Sequence, residues 1–449
     1  MNISFFKQRV LARIRPLLSS SFGKNTVILT TGTFIAQIIG IVVTPILSRI
    51  YKPEDYGIVA LFAAFVAMCS TVITLRYETR ILLPKTNSEA KKLVTLVFWL
   101  SIVFGLLLIG LFIIMPLSYI EKIGLKDISS WLIVAVMASV ATSLITVVTN
   151  WFNRNAQYKQ IAGLRILQAI CVSILGILAG LLSVANGLLY SQLLALFLTL
   201  IIFIYFGHKS IDRNVSIGDL LKVAKIHKRG PIYLLPTAIL DVVTLQIPFF
   251  LISFWFSNTM TGNYRMAYSL LLLPSSLVGS AVSQVFFQRF SEIWPNALSG
   301  KKLLIKTWKM LFFIGVLPMM IIIFFGKPIF TIALGDSWAD AGKIASILAP
   351  MVFGSLIHSP TSSTLTVMGH EKLGFYIALT VLIYRPLSFY IGYIYSNFYM
   401  GIALFAFFEI THYVFFQAMA LKKINQFIKR QASNEKVELL STKMNVLKV

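Results

Sequence analysis

Apolar runs of about 20 residues recur along the whole chain, each long enough to cross roughly 30 Å of hydrocarbon as an α-helix. The pattern predicts twelve spans. The first six cover residues 26–48, 57–83, 93–116, 128–150, 161–183 and 186–206. The second six cover residues 231–256, 263–287, 304–325, 344–368, 374–395 and 399–421. Every connection is short, the longest being the basic stretch 208–230, so no soluble catalytic domain fits between spans. The predicted class is an all-α polytopic membrane protein.

Composition sharpens this picture. Of the 449 residues, 57% are hydrophobic and 12% charged, and a mean hydropathy of +0.82 excludes a water-soluble globular enzyme. The 40 Lys and Arg against 16 Asp and Glu give a net charge of +24, which in a soluble protein would suggest nucleic-acid binding. Here the basic residues cluster in short loops between apolar spans, the signature of a membrane protein, and no nucleic-acid partner is expected. The N-terminal segment, the even loops and the C-terminal tail are rich in Lys and Arg. The odd loops carry only Arg49, Lys52, Lys122, Lys126, Lys327 and Lys343. Basic loops are retained in the cytoplasm, which predicts that both termini are cytoplasmic.

Residues 1–25 place Ile3, Phe6, Val10, Ile14, Leu17 and Leu18 near helical spacing with basic residues between them, as in an interfacial amphipathic helix. A basic region followed by Pro16 and a serine run is not the pattern of a cleaved signal peptide. Residues 422–449 form a polar, cytoplasmic tail. Laying span one on span seven reveals an internal repeat: each has a central proline (Pro45, Pro248), a short outer loop, then a Gly/Tyr pair (Tyr56 and Gly57; Gly262 and Tyr264) opening the next helix. Six spans per repeat give two parallel lobes, residues 26–206 and 231–421, joined by the basic linker 207–230, with a cavity between them.

No zinc-ligand spacing, P-loop, GxGxxG or GxSxG turn occurs, so neither a metal nor a catalytic residue is predicted. Cys69 and Cys171 both lie inside apolar spans and are expected to be small packing residues.

The stretch TGTFIAQIIGIVVTPILSRIYKPEDYGIVALFAAF, followed by LRYETRILLPK, resembles the opening of the Wzx-type oligosaccharide flippases. There a first helix with a mid-span proline leads through an x-P-x-x-Y/F-G loop to a second helix. These flippases share a superfamily, the MOP exporters, with MATE drug exporters and the lipid II flippase MurJ. The resemblance implies two six-helix lobes opening alternately to each side of the bacterial cytoplasmic membrane. It implies as cargo a polyprenyl-pyrophosphate-linked oligosaccharide, moved to the outer leaflet for O-antigen, capsule or exopolysaccharide synthesis, alongside a polymerase and chain-length machinery.

Such transport breaks no bond. It needs cationic groups for pyrophosphate, and ionisable residues within spans are the candidates because charge there is expensive. Arg76 and Arg80, four apart near the inner end of span two, are expected on one helix face, with Glu78 turned away. Arg265 and Arg289 lie at the two ends of span eight. Arg385, about eleven residues into span eleven and followed by Pro386, is the strongest candidate to line a cavity, the alternative being an ion pair with Glu409 or Asp241. Asp241, Glu409 and Glu78, with His358 and His412, are the candidates for coupling to a proton or sodium gradient; no other cofactor is expected. Pro45 and Pro248 lead the hinge candidates, with Pro274, Pro318 and Pro350 behind them. A competing reading is a cation-coupled drug exporter, which would need an acidic cavity. Another is a membrane-embedded glycosyltransferase or polymerase, for which the outer loops are too short.

Overall fold

In hydrocarbon a backbone amide finds no water, so an apolar run folds as a helix that satisfies its own N–H and C=O groups. The computed structural model describes residues 21–446 apart from positions 123, 213 and 295, and it contains no strand among them. Twelve helical segments are long and apolar enough to cross a membrane, as the hydrophobic pattern predicts. In chain order they are built on α1 (Ser21–Ile50), α2 (Pro53–Ile73), α3 (Asn87–Ile114), α4 (Leu132–Arg154), α5 (Tyr158–Leu181) and α6 (Gly187–Gly207). Then follow α7 (Leu235–Trp255), α8 (Asn258–Ile293), α9 (Ala297–Leu334), α10 (Ala339–Thr361), α11 (in two pieces, Glu371–Leu379 and Val381–Ile394) and α12 (Phe398–Val446).

Local chemistry sets the helix starts. Pro53 opens α2, where its missing N–H costs nothing, and the Lys52 amide donates to the Asp55 carboxylate at 2.9 Å. Thr86 caps α3 by accepting from the Glu89 amide, and Asn296 caps α9 by accepting from the Ser299 amide.

The chain divides into two compact units, residues 1–262 and 263–449. In the first, α4 is the central helix, packing against α2, α3 and α6. Its Leu132, Ala135 and Val136 join one apolar cluster with Val59, Phe62, Ile128 and Leu189. Its Val147, Trp151 and Phe152 join a second cluster with Leu93, Val97 and Phe203. The hydroxyls of Ser101, Ser139, Ser143 and Thr199 are fully buried and donate to the carbonyl four residues back, at 2.6–2.8 Å, so none is left unpaired in the apolar interior. In the second unit α9 packs along α10, and α11 and α10 both pack on α12. A ladder of rings, Phe286, Phe290, Trp294 and Phe427, ties the end of α8 to α12 with centroids 5.1–5.5 Å apart.

Three features differ from the sequence expectation. Span two does not run as one helix to Leu83: α2 stops at Ile73, Leu75 and Arg76 take positive φ (48° and 60°), and the chain re-enters as a 3₁₀ turn, Tyr77–Leu82. Span eleven is interrupted at Thr380, six residues before Pro386, which lies inside the second piece. The tail after Lys422 is not separate from the last span but continues α12 to Val446, a stretch without Gly or Pro. The amphipathic segment expected over residues 1–25 lies, up to position 20, outside the described residues.

The repeat-related glycines meet. Within the first unit, a Cβ on Gly57 would run into the Asn258 carbonyl, and one on Gly262 would run into the Pro53 carbonyl. Only the absence of a side chain at both positions lets the start of α2 and the start of α8 touch backbone to backbone. Gly57→Val or Gly262→Val is therefore expected to destabilise the folded protein by about 1–3 kcal/mol through overpacking. Gly40→Val in α1, where a Cβ meets open space, is expected to leave it unchanged. Melting of the three variants in detergent checks this, and equal melting would show that the close approach is not rigid.

Candidate functional site

Two groups of ionisable side chains lie within or at the ends of spans, one in each unit. The first is the elbow between α2 and α3. Because α2 ends early, Arg76 and Arg80 do not share an α-helical face. Arg76 sits at a left-handed position, and Glu78, two residues on, folds back to pair with it at 3.2 Å, with side-chain exposures of 35% and 4%. The expectation that Glu78 turns away from the arginines fails here, because the 3₁₀ turn replaces the α-helical geometry behind it. Backbone carbonyls exposed by the elbow find partners. Asn150 of α4 donates to the Glu78 carbonyl, and Arg154 donates to the carbonyls of Ile81 and Thr86 and to Asn87 Oδ1.

Gly230 opens a one-turn π-helix, Gly230–Leu234, over the elbow; a Cβ there would press on Arg80 Nε at 3.3 Å and on the Arg76 carbonyl at 3.4 Å. Among the described residues, Arg76 Nε, Arg80 Nε and Glu78 Oε2 are buried without a hydrogen-bond partner. Two arginines and one glutamate in this turn give it a net positive charge, and their unpartnered polar atoms leave it under-satisfied, the arrangement that an anionic ligand completes.

The second group is internal to the second unit. Arg385 Nε donates to Glu409 Oε1 at 2.5 Å, with side-chain exposures of 13% and 2%. The guanidinium also lies 5.8 Å from the centre of the Phe405 ring. Tyr264, Tyr268, Tyr384 and Tyr413 are within electrostatic range of the pair. His412, one turn after Glu409, places Nδ1 3.3 Å from Thr380 Oγ1. Its ring centroid is 6.3 Å from that of His358, which stacks on Tyr413 at 4.8 Å. Beyond His358, Gln417 Nε2 lies 3.2 Å from the His358 Nδ1 and donates to Thr361 Oγ1 at 2.8 Å.

Arg289 is exposed and pairs with Glu292 at 3.5 Å. Asp241 is exposed on α7, and Arg385 takes Glu409 as its carboxylate. Arg265 is half-buried in α8. Pro45 is half-buried inside α1, and Pro248 is buried inside α7. Sequence reasoning missed Arg154, which holds the elbow, and Gln417, which ends the polar chain in the second unit. Arg154 carries a signal, being the basic residue at the foot of span four beside two asparagines. Gln417 carries none, since a lone glutamine in an apolar run does not reveal what it faces.

The profile of the family described as "Polysaccharide biosynthesis protein" matches residues 46–343, from within α1 to the start of α10. The succinoglycan biosynthesis transport protein ExoT of Rhizobium meliloti (strain 1021) is 25% identical over 334 residues, which cover 72% of this chain. The match spans 64% of that relative's length. Among solved structures, the inward closed lipid II flippase MurJ aligns with a TM-score of 0.68 at 18% identity, covering 88% of this chain and 87% of the other. An inward-facing multidrug resistance MATE family transporter of the MOP superfamily aligns with a TM-score of 0.67 at 13% identity, covering 89% and 95%. The fold is therefore the one these transporters share.

The Arg385–Glu409 pair makes a stability prediction. Arg385→Leu alone leaves a carboxylate buried without its partner and is expected to cost about 3–5 kcal/mol. The double variant Arg385→Leu/Glu409→Leu is expected to recover most of that loss, because neither charge then remains unpaired. Unfolding of the two proteins in detergent decides the matter, and equal stabilities would mean that the pair is not coupled.

Proposed function

The chain belongs to the polysaccharide biosynthesis protein family, and we propose that it is a flippase for polyprenyl-pyrophosphate-linked oligosaccharide units. The units would pass from the inner to the outer leaflet of the bacterial cytoplasmic membrane for surface polysaccharide synthesis. Both termini are cytoplasmic in this reading, as the Lys and Arg bias of the loops requires. Two lobes, residues 26–206 and 231–421, open alternately to each side, and the chain hands its cargo to a polymerase and chain-length machinery. No bond is made or broken and no cofactor is used. The family match over residues 46–343 is the observation that carries the reading. The relative named as a succinoglycan biosynthesis transport protein and the fold shared with a lipid II flippase support it.

The elbow supplies the chemistry. Arg76 and Arg80 hold more hydrogen-bond donors than Glu78 accepts, and their Nε groups lack partners. A pyrophosphate brings two negative phosphoryl groups with acceptors on several sides, matching a pair of guanidinium forks. Arg385 serves differently. Glu409 neutralises it, so it orders α11 against α12 rather than taking the anion. Ion coupling then falls to Asp241, an exposed carboxylate within a span, or, if protons drive the cycle, to His412 and His358. A drug exporter for cations on the same fold is disfavoured, because Glu78 and Glu409, two of the three carboxylates named within the spans, are each paired with an arginine.

Deleting the gene is expected to abolish polymer at the cell surface and to accumulate polyprenyl-linked oligosaccharide facing the cytoplasm. Complementation with Arg76→Ala/Arg80→Ala is expected to restore less than a tenth of the surface polymer at normal protein levels, whereas Arg289→Ala restores it fully. Persistence of surface polymer in the deletion, with increased sensitivity to cationic drugs, would replace this reading with the exporter.

A further inference from the structure

A groove of about 770 Å³ runs over the second unit between α9, α10 and α12, helices apolar enough to lie in the bilayer. Its walls are largely aromatic and aliphatic, with Trp308, Phe312, Phe353, Tyr413 and Leu421 prominent. From Ile410 to Leu421, both lining it, α12 advances eleven residues, or about 16 Å at 1.5 Å per residue. That is about half of the roughly 30 Å of hydrocarbon in a bilayer, the depth of a single leaflet.

One end of the groove is cationic. Lys309 lines the groove itself, and Lys302, Lys306 and Lys309 follow one face of α9 at i, i+4 and i+7, all three exposed. After Lys309 the helix carries no charged residue until Lys327, so the stripe stands where the apolar span begins. Lys422 and Lys423 follow Leu421 on α12, and a hydrogen bond of 2.8 Å from Lys301 Nζ to Asn425 Oδ1 holds the two basic segments side by side. Among the described residues, none of Lys302, Lys306, Lys309, Lys422 and Lys423 is in an ion pair with a carboxylate. The helix itself adds to the imbalance. The start of α9 is the positive end of its dipole, and its first turn holds no acidic residue to answer it. Retention of basic segments in the cytoplasm accounts for lysines at this end of the span, but not for three of them on one face at the mouth of a groove.

We propose that this groove is a site for an anionic glycerophospholipid, with its phosphate over the Lys302–Lys306–Lys309 face and one acyl chain laid along the aromatic wall. Charge and length select this occupant. A head with a net negative charge answers the lysines, whereas a zwitterionic head brings its own cation to them; each lysine beside an anionic headgroup is worth about a fivefold preference. An acyl chain ends near the bilayer midplane and so matches a groove one leaflet deep, whereas a longer chain would leave much of its length outside. The lipid is therefore a resident of its leaflet, packed against α9, α10 and α12 at once, and not cargo. With cytoplasmic termini that leaflet is the inner one. The inference stands apart from the flippase reading, since it requires only that these helices lie in a bilayer.

The test uses the full chain in nanodiscs of phosphatidylcholine that carry a trace of diazirine-tagged phosphatidylglycerol or, in parallel, of phosphatidylcholine with the same tagged chains. The phosphatidylglycerol probe is expected to mark peptides of α9, α10 and α12 at least about tenfold more strongly than its zwitterionic match, and to be displaced by unlabelled phosphatidylglycerol. Lys302→Gln/Lys306→Gln/Lys309→Gln removes charge from exposed positions and is expected to bring the two probes to near-equal labelling. Lys222→Gln/Lys225→Gln, exposed on the short linker helix Ile217–Ile226 of the first unit, is expected to leave the preference unchanged. Ala418→Trp, which puts an indole into the groove from an exposed position, is expected to lower labelling by both probes several-fold, and the lysine variant serves if it fails to fold. Equal labelling of the unaltered protein by both probes would make the groove a seat for bulk phospholipid and overturn the proposal. A preference that survives the α9 lysine variant, or that falls as much with the linker variant, would overturn it too. So would displacement of the probe by polyprenyl phosphate but not by phosphatidylglycerol. None of these outcomes touches the flippase reading, which stands or falls on surface polymer in the gene deletion.

Discussion

A donor or acceptor left unpaired in hydrocarbon costs several kcal/mol, and nearly every polar arrangement in this protein answers to that constraint. Serine and threonine hydroxyls turn back onto the carbonyls of their own helices. Carbonyls released where a helix breaks are met by Asn150 and Arg154. A guanidinium and a carboxylate facing each other between α11 and α12 cancel a charge that neither helix tolerates alone. Beside the Arg385–Glu409 pair the buried Phe405 ring, 5.8 Å from the guanidinium, stacks on Phe389 with centroids 5.4 Å apart.

The two units resolve buried charge in opposite ways, and the difference bears on function. In the second unit one cation meets one anion, and the geometry is tight. In the first, Arg76 meets Glu78 in a turn that also carries Arg80, and polar atoms of all three side chains stay unanswered. A compensated pair contributes order; an uncompensated one leaves a net charge in the turn. The same contrast sets the lysine stripe of α9 apart from Lys343, whose charge is answered at 3.0 Å by Asp340.

How much of this was legible in the sequence follows from which forces are local. Twelve spans could be read because length and hydropathy alone decide whether a helix crosses a membrane. The meeting of Gly57 with the start of α8 was prefigured by the repeat, which put a glycine near the same point of each half, although no local rule says that the two touch. The elbow was not legible. Nothing in LRYETRILL forbids a continuous helix, and no Gly or Pro marks the turn. Leu75 and Arg76 take left-handed φ because tertiary contacts from α4 and from the turn at Gly230 reward it. The choice between Glu409 and Asp241 as the carboxylate for Arg385 was left open for a related reason, and the structure gives Glu409. Depth along a span can be counted from sequence, but the direction in which a side chain points depends on helix rotation, which packing decides.

That strain is itself informative. A non-glycine residue held at positive φ costs on the order of 1–3 kcal/mol, and it persists only where the surroundings over-determine it. At the elbow two such residues are consecutive, and they buy the one thing a continuous helix cannot give. On an α-helix, Arg76 and Arg80 would project along one stripe toward lipid or toward a neighbour, with Glu78 behind them. In the 3₁₀ turn under Gly230, Arg76 pairs with Glu78 and Arg80 follows in the same half-buried turn, so its excess charge is positive. A sequence selected only for crossing the membrane would have no cause to break its second span there. The break is better explained by the charge it assembles than by the fold it interrupts.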